Sequence, residues 1–370
     1  MSLPRAKRTG TPKNTTRIRR KRRTVPKKIP RPAKIPRPAK ILLPRCPRYM
    51  KKPGKLGVVH VLYPVYPLPL KAYGGVERGV YLLAKEQAKR GYDVYVFTHP
   101  NSVIPGCTVI PCSPTAKNMG ELQIDRVHTF IEHVKPDIIH DHSPWGLLDR
   151  SNCGCPVIRT IYGDPDKKYL KTVKKDVVTT FTTKAFAKFY GFPNAPIIRA
   201  AVGENLHKLP FQDTDRGDWA LFIGKLEKIK GPHIAINWAK KLNKSLLIFG
   251  PVSNKSFFNS NIRTHLDYTT SSVENAIDLI QKVPNSKIIY GGLIPRDIIW
   301  KSYLKAGVTF VPSQCEEAMS RVVQEAMLTG CPVMATDRGG IFESMGERIS
   351  GTVVQNISEL TTYCRTIDKW

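Results

Sequence analysis

The chain has 370 residues, 41% hydrophobic and 9% aromatic, which is ample for two globular domains with separate cores. Its formal charge is +30, but residues 1–55 hold 21 of the 59 Lys and Arg and no Asp or Glu, so most of the excess sits in one-seventh of the sequence. No stretch approaches the roughly 18 apolar residues of a membrane span, and a charged N-terminus with no apolar run behind it argues against a secretory signal.

Residues 1–55 also carry ten prolines and a direct repeat, IPRPAK at Ile29–Lys34 and again at Ile35–Lys40. A like-charged, Pro-rich segment cannot bury enough apolar surface to offset its ordering entropy. It is expected to be disordered, with extended polyproline character at the repeat. Its charge suits an acidic membrane surface or another polyanion, and the run Arg19–Arg23 is a weak nuclear address. No specific nucleic-acid partner is predicted.

From Leu56 onward, short apolar runs alternate with amphipathic segments. Val58–Leu62 reads as a buried parallel strand and Val76–Arg90 as a helix, with an apolar stripe at Val76, Val80, Leu83, Ala84 and Ala88, ended by Gly91. Val94–Phe97, Ile138–His140, Pro156–Ile158 and Val177–Thr179 read as further strands, with a helix at about Ile124–Val134. The polar stretch 206–218 reads as a linker. The pattern then restarts: strands at Ala220–Ile223, Leu246–Phe249, Lys287–Tyr290, Val308–Val311 and Pro332–Ala335, and helices at Pro232–Lys241, Val273–Val283 and Pro295–Lys305. The sequence therefore predicts an α/β chain of two doubly wound units, 56–205 and 206–370, behind the basic tail 1–55. Ligands of such sheets lie beyond the carboxyl ends of the strands, here in the cleft between the units. The eight cysteines are scattered, and Cys153-Gly-Cys155 is too tight for a zinc knuckle, which points to reduced thiols of a cytoplasmic protein.

Four stretches carry candidate chemistry. After the first strand, Gly74 and Gly75 open a helix and would let an anionic group approach backbone amides at its positive end. The glycines fall at 74, 75 and 79, which is not the dinucleotide pattern and counts against a dehydrogenase. Lys225 and Lys230 flank a short loop ahead of the second unit's first helix, where a diphosphate could sit. Glu317 and Glu325 stand eight residues apart around a helix start. If both were helical they would be about 12 Å apart along the axis, which suits two ends of an extended ligand rather than one atom. A favourable charge at a helix start and a solvated helix face are their ordinary explanations. Finally, His140 and His142 share a strand face by period two while Asp141 points to the other, so the three do not make a metal site.

These stretches, in this order, resemble glycosyltransferase family 4, the retaining two-domain GT-B enzymes, over most of residues 56–350. Glu317-Ala-Met-Ser-Arg-Val-Val-Gln-Glu325 resembles the family's E-x7-E segment; Gly224-Lys225 through Lys230-Gly231 resembles its G-R-x4-K-G segment. Tyr73-Gly-Gly-Val-Glu77 resembles its Y-G-G-x-E loop, and His140-Asp-His142 its H-x-H strand end. The resemblance implies a nucleotide-diphosphate sugar donor (UDP-, GDP- or ADP-linked), an unidentified acceptor and no obligatory metal or other cofactor. It implies that Glu325 binds the donor ribose, Glu317 the transferred sugar, Lys225 and Lys230 the leaving diphosphate, and that Gly74 and Gly75 approach it from the other unit. Tyr162, His142 and Tyr290 would complete the donor site. Lys225 replaces the usual Arg, Tyr162 a frequent His, and Ala318-Met319-Ser320 a Gly/Pro-Phe-Gly loop. The alternatives are a sugar-nucleotide epimerase of the same fold and a non-catalytic protein that binds nucleotide sugars or polyanions. The sequence ends at Trp370, earlier than most such sequences, so the closing helices that usually return to the first domain are expected to be short or missing.

Overall fold

In a computed structural model the described residues are 51–71, 74–113, 119–144, 146, 148, 153–163, 176–203, 215–345 (except 271, 285 and 294–295) and 351–354. The tail 1–50, Tyr73, most of the linker and the chain after Val354 lie outside them.

The apolar runs become strands because both faces of each sheet are covered. β1 (Gly57–Val61), β2 (Asp93–Thr98) and β8 (Ser245–Phe249) are buried at every position. With β3 (Thr108–Pro111), β4 (Ile138–Asp141), β5 (Val157–Ile161) and β6 (Val177–Phe181), the first two form a sheet in the order β3-β2-β1-β4-β5-β6. Every pairing is parallel. Helix α1 (Gly75–Lys89) joins β1 to β2, and α2 (Met119–Val134) joins β3 to β4. α2 begins five residues before the expected start; α3 (Lys184–Phe189) follows β6.

The second sheet has seven parallel strands. It is built from β7 (Gly217–Ile223), β8, β9 (Tyr268–Thr269), β10 (Ile288–Tyr290), β11 (Ala306–Val311), β12 (Val333–Thr336) and β13 (Gly351–Val354), in the order β13-β12-β11-β7-β8-β10-β9. The two-residue β9, and β3 and β13, carry too little apolar pattern to be read from sequence. Gly217 and Asp218, expected in the linker, belong to β7. Side chains alternate across β7. Ala220 and Phe222 pack with Ala235, Ile236 and Trp238 of α4 (Pro232–Lys241), while Trp219 and Leu221 pack with Tyr303, Val323 and Ala326 on the other face. Tyr303 belongs to α7 (Arg296–Lys305), and Val323 and Ala326 to α8 (Arg321–Leu328). Between α4 and α7, α5 (Lys255–Asn261) and α6 (Val273–Lys282) complete the crossovers.

In each sheet the strand order reverses at a central pair, β1/β4 in one and β7/β11 in the other. That topological switch is where an open α/β sheet leaves a crevice at its carboxyl edge. Residues 48–370 form one compact unit, so the two crevices belong to a single body. The lobes touch where Thr182 and Thr183 donate to the Ala318 carbonyl, both at 2.8 Å. Glu343 of α9 (Ile341–Ser344) accepts from the Lys184 amide at 3.0 Å and the Ala185 amide at 2.5 Å, capping α3 from the opposite lobe.

Candidate active site

A cavity of about 540 Å³ lies at these carboxyl edges and is walled by both lobes. That is within the roughly 300–1,000 Å³ of small-molecule sites. The first lobe contributes Gly74, Gly75, Glu77 and Tyr162; the second contributes Lys225, Lys230, Ser313, Glu317, Arg321 and Glu325. Seven of the nine residues proposed from sequence therefore line one cavity.

The loop after β7 places the lysines. Residues Lys228–Lys230 make one 3-10 turn, Gly231 adopts a left-handed conformation (φ 70°), and Pro232 starts α4. A Cβ on Gly231 would stand 2.0 Å from the Pro312 carbonyl oxygen, in the loop that carries Ser313 and Glu317. Gly231→Ala is therefore expected to cost more than about 3 kcal/mol, from left-handed strain plus the backbone clash. Urea unfolding monitored by tryptophan fluorescence checks it; a loss under 1 kcal/mol would show that the two loops do not need this approach.

Glu317 is not helical. It lies in the loop before α8, whose N-cap is Ser320. Its Oε1 accepts from Lys230 Nζ at 2.7 Å and from Ser313 Oγ at 2.5 Å. The backbone is pinned as well: the Gly340 amide donates to the Glu317 carbonyl at 2.6 Å. Gly339 (φ 56°) crosses so closely that a Cβ would lie 2.5 Å from the Glu317 carbonyl oxygen. The Gly339-Gly340 pair after β12 thus holds the loop of Glu317.

Glu325 is on α8 but does not belong to a solvated face. It is 5% exposed, and its Oε2 accepts from the Tyr303 hydroxyl at 3.3 Å. Arg321 shares its face one turn earlier and reaches the first lobe. Its Nη1 donates to the Val202 carbonyl at 3.4 Å, and its side chain lies 3.5 Å from where a Cβ on Gly75 would be. Burial raises the Glu77 carboxyl above its ordinary range, and its own backbone amide, Lys225 and Arg321 draw it back. Arg321 was missed in the sequence, although its i,i+4 spacing to Glu325 was a usable signal. Glu77 was quoted only as part of a motif.

Two proposed residues stand behind the wall. Tyr290 does not line the cavity; its hydroxyl donates to the Gly250 carbonyl at 2.9 Å and so supports a loop that does. His142, 4% exposed, reaches the cavity through the Tyr162 hydroxyl, 2.9 Å from its Nδ1. His140 shares its face, and their ring centroids are 3.9 Å apart. Asp141 turns away and accepts from the Ser143 amide at 2.8 Å. A third histidine, His60, joins from β1 because the register pairs it with His140. One ring nitrogen from each lies within 4.8 Å of those of the other two. Rings on a tetrahedral ion would have centroids roughly 5 Å apart; His60 stands 5.5 Å from His140 and 5.2 Å from His142, whereas the His140–His142 pair is closer, and His60 Nδ1 and His142 Nε2 already pair with each other at 2.9 Å. Burial holds all three imidazoles neutral: His60 falls to about 4, His140 to about 3, and His142 well below the ordinary imidazole value.

Residues 73–198 match the family described as Glycosyltransferase Family 4, and residues 211–370 match Glycosyl transferases group 1. This chain belongs to the family 4, group 1 glycosyltransferases. Among the glycosyltransferase relatives, YtcC of Bacillus subtilis (strain 168) is 29% identical over 154 residues, which is 40% of this chain and 35% of YtcC. The matches span 20–38% of the length of the curated relatives. Two solved structures share the GT-B arrangement of facing lobes. A glycosyltransferase of avilamycin A biosynthesis has a TM-score of 0.61 at 20% identity, covering 85% of this chain and 88% of its own. The Anabaena protein HepE in complex with UDP-glucose has a TM-score of 0.60 at 15% identity, covering 85% of this chain and 90% of its own.

Proposed function

We propose that the chain is a retaining glycosyltransferase that moves a sugar from a nucleotide-diphosphate sugar to an acceptor hydroxyl. The observation that carries this reading is the convergence of Lys230, Glu317 and Glu325 on one cavity wall, with Gly74 and Gly75 opposite. An elongated donor would lie along that wall. Glu325 would accept from the ribose diol, Glu317 would hold sugar hydroxyls, and Lys225 and Lys230 would face the diphosphate. In the reaction the bond from the anomeric carbon to the phosphate oxygen breaks and negative charge builds on that oxygen. The acceptor hydroxyl attacks from the same face and passes its proton to the departing phosphate. The chain's own part is positioning and anion stabilisation. HepE with UDP-glucose supports a nucleotide-sugar donor, and the basic segment 1–55 would bring the enzyme to an acidic membrane surface or other polyanion.

A thermal-shift screen of UDP-, GDP- and ADP-glucose tests the reading. A donor at about a hundredfold excess over Kd should add about 2.7 kcal/mol to stability, a rise of several degrees in Tm. Glu325→Ala should remove that rise. If no sugar nucleotide raises Tm, the donor reading falls. Conversion of donor in the absence of acceptor would favour the epimerase.

A further inference from the structure

Behind Tyr162 runs a line of hydrogen-bonded side chains, buried at its two histidines, that the donor contacts do not use. Gln87 projects from α1, His60 from β1, and His142 and Tyr162 follow the ends of β4 and β5. Gln87 Oε1 lies 2.7 Å from His60 Nε2, and His60 Nδ1 lies 2.9 Å from His142 Nε2. His142 Nδ1 in turn lies 2.9 Å from the Tyr162 hydroxyl. Only Tyr162 lines the cavity.

Each link needs one proton, and each neutral imidazole carries one. An amide oxygen only accepts, so His60 carries its proton on Nε2 and leaves Nδ1 bare. His142 must then donate from Nε2, which leaves its own Nδ1 bare. That nitrogen can be satisfied only by the Tyr162 O–H. The phenol's one proton is therefore spent inward, and its oxygen, on which the Thr160 hydroxyl also draws, meets the cavity only as an acceptor. His140 stands outside the line, its Nε2 bonded to Thr160 Oγ1 at 2.7 Å.

We infer that Gln87 and His60 are positioning residues that fix the Tyr162 phenol as a hydrogen-bond acceptor, so that the site selects a ligand with a free hydroxyl facing it. For the identity of that ligand, a sugar nucleotide, the inference rests on the proposed donor reading; for the direction of the hydrogen bonds it does not. A ligand lacking that hydroxyl forfeits one hydrogen bond to the half-buried phenol, about a tenfold loss of affinity.

The test has two arms on the full chain. Long-range proton–nitrogen NMR of 15N-histidine protein reads the tautomers directly. His60 and His142 should both be protonated on Nε2 and bare on Nδ1 between pH 6 and 8, and Gln87→Leu should mix the tautomers of both. Protonation of either ring on Nδ1, or an unchanged pattern in Gln87→Leu, overturns the inference. In the second arm, calorimetry compares UDP-glucose with its four monodeoxy analogues. One analogue should bind about tenfold more weakly, and Tyr162→Phe should erase that gap. A panel unaffected by Tyr162→Phe overturns the selecting role. Failure of UDP-glucose itself to bind would sink the donor reading, and the tautomers would then decide the inference alone.

Discussion

Lys230→Ala is expected to lower kcat/KM by about 100- to 1,000-fold with whichever donor the thermal-shift screen identifies, most of it in kcat. The expectation comes from where the ammonium is held. Lys230 ends a 3-10 turn that Gly231 locks against the Pro312 carbonyl, and its Nζ is fixed 2.7 Å from Glu317. A fixed cation near the developing phosphate charge needs no reorganisation at the moment of bond breaking, which makes such charges worth more than mobile ones. Lys230→Arg keeps the charge but replaces a compact point charge by a planar fork, so it should recover only part of the loss. Lys230→Ala also leaves the Glu317 carboxylate, largely buried and still bonded to Ser313, without its cation. A stability loss of about 1–3 kcal/mol is therefore expected, and turnover should be measured well below the variant's Tm. Glu317→Gln combined with Lys230→Ala should restore stability without restoring turnover. Steady-state kinetics with donor and acceptor varied separately checks the prediction. Turnover equal to that of the unaltered chain would remove Lys230 from the mechanism.

The parallel sheets were legible because burial on both faces leaves continuous apolar runs such as Val58–Val61 and Leu246–Phe249, and because α1 and α4 carry one-sided stripes between them. Two facing crevices followed from that alternation. What spacing alone could not decide was the state of each carboxylate. A solvated face was the ordinary explanation of Glu325, and only packing against Tyr303 shows it to be buried. The 12 Å helical spacing considered for the two glutamates does not apply, because the helix starts after Glu317. The three-histidine cluster was also out of reach. His60 and His140 are 80 residues apart in sequence and meet only through the β1/β4 register, which no local pattern encodes. Gly339 shows the same limit: a glycine after a strand reads as a turn, while its use here is a close crossing over a distant loop.

That cluster has a cost in acid. Stability is expected to fall steeply as pH drops from about 6.5 toward 4.5. His60, His140 and His142 are 0%, 6% and 4% exposed, and burial depresses all three, His60 to about 4, His140 to about 3 and His142 well below its ordinary value. In the unfolded chain each takes a proton near pH 6.5. Above that value neither state is protonated and the cluster's stabilising contribution is complete. Below it the unfolded state binds protons that the fold refuses, so stability is lost as pH falls toward the folded values. Well inside that window each imidazole contributes about 1.4 kcal/mol per pH unit, and the three together about 4 kcal/mol. His233, which burial and Lys228 depress, acts in the same direction. Asp141 and Glu77 oppose it, since burial raises both carboxyls and the fold gains as they take protons. Their unfolded values lie near pH 4, so their effect grows toward the lower end of the range, and the interval from pH 6.5 to 5 belongs mainly to the histidines. Urea titrations at pH 7.5, 6.5, 5.75 and 5.0 should show a plateau followed by a decline, and His140→Gln should reduce the slope by about one third. Stability that stays level across that interval would mean the three imidazoles find their protons within the folded chain.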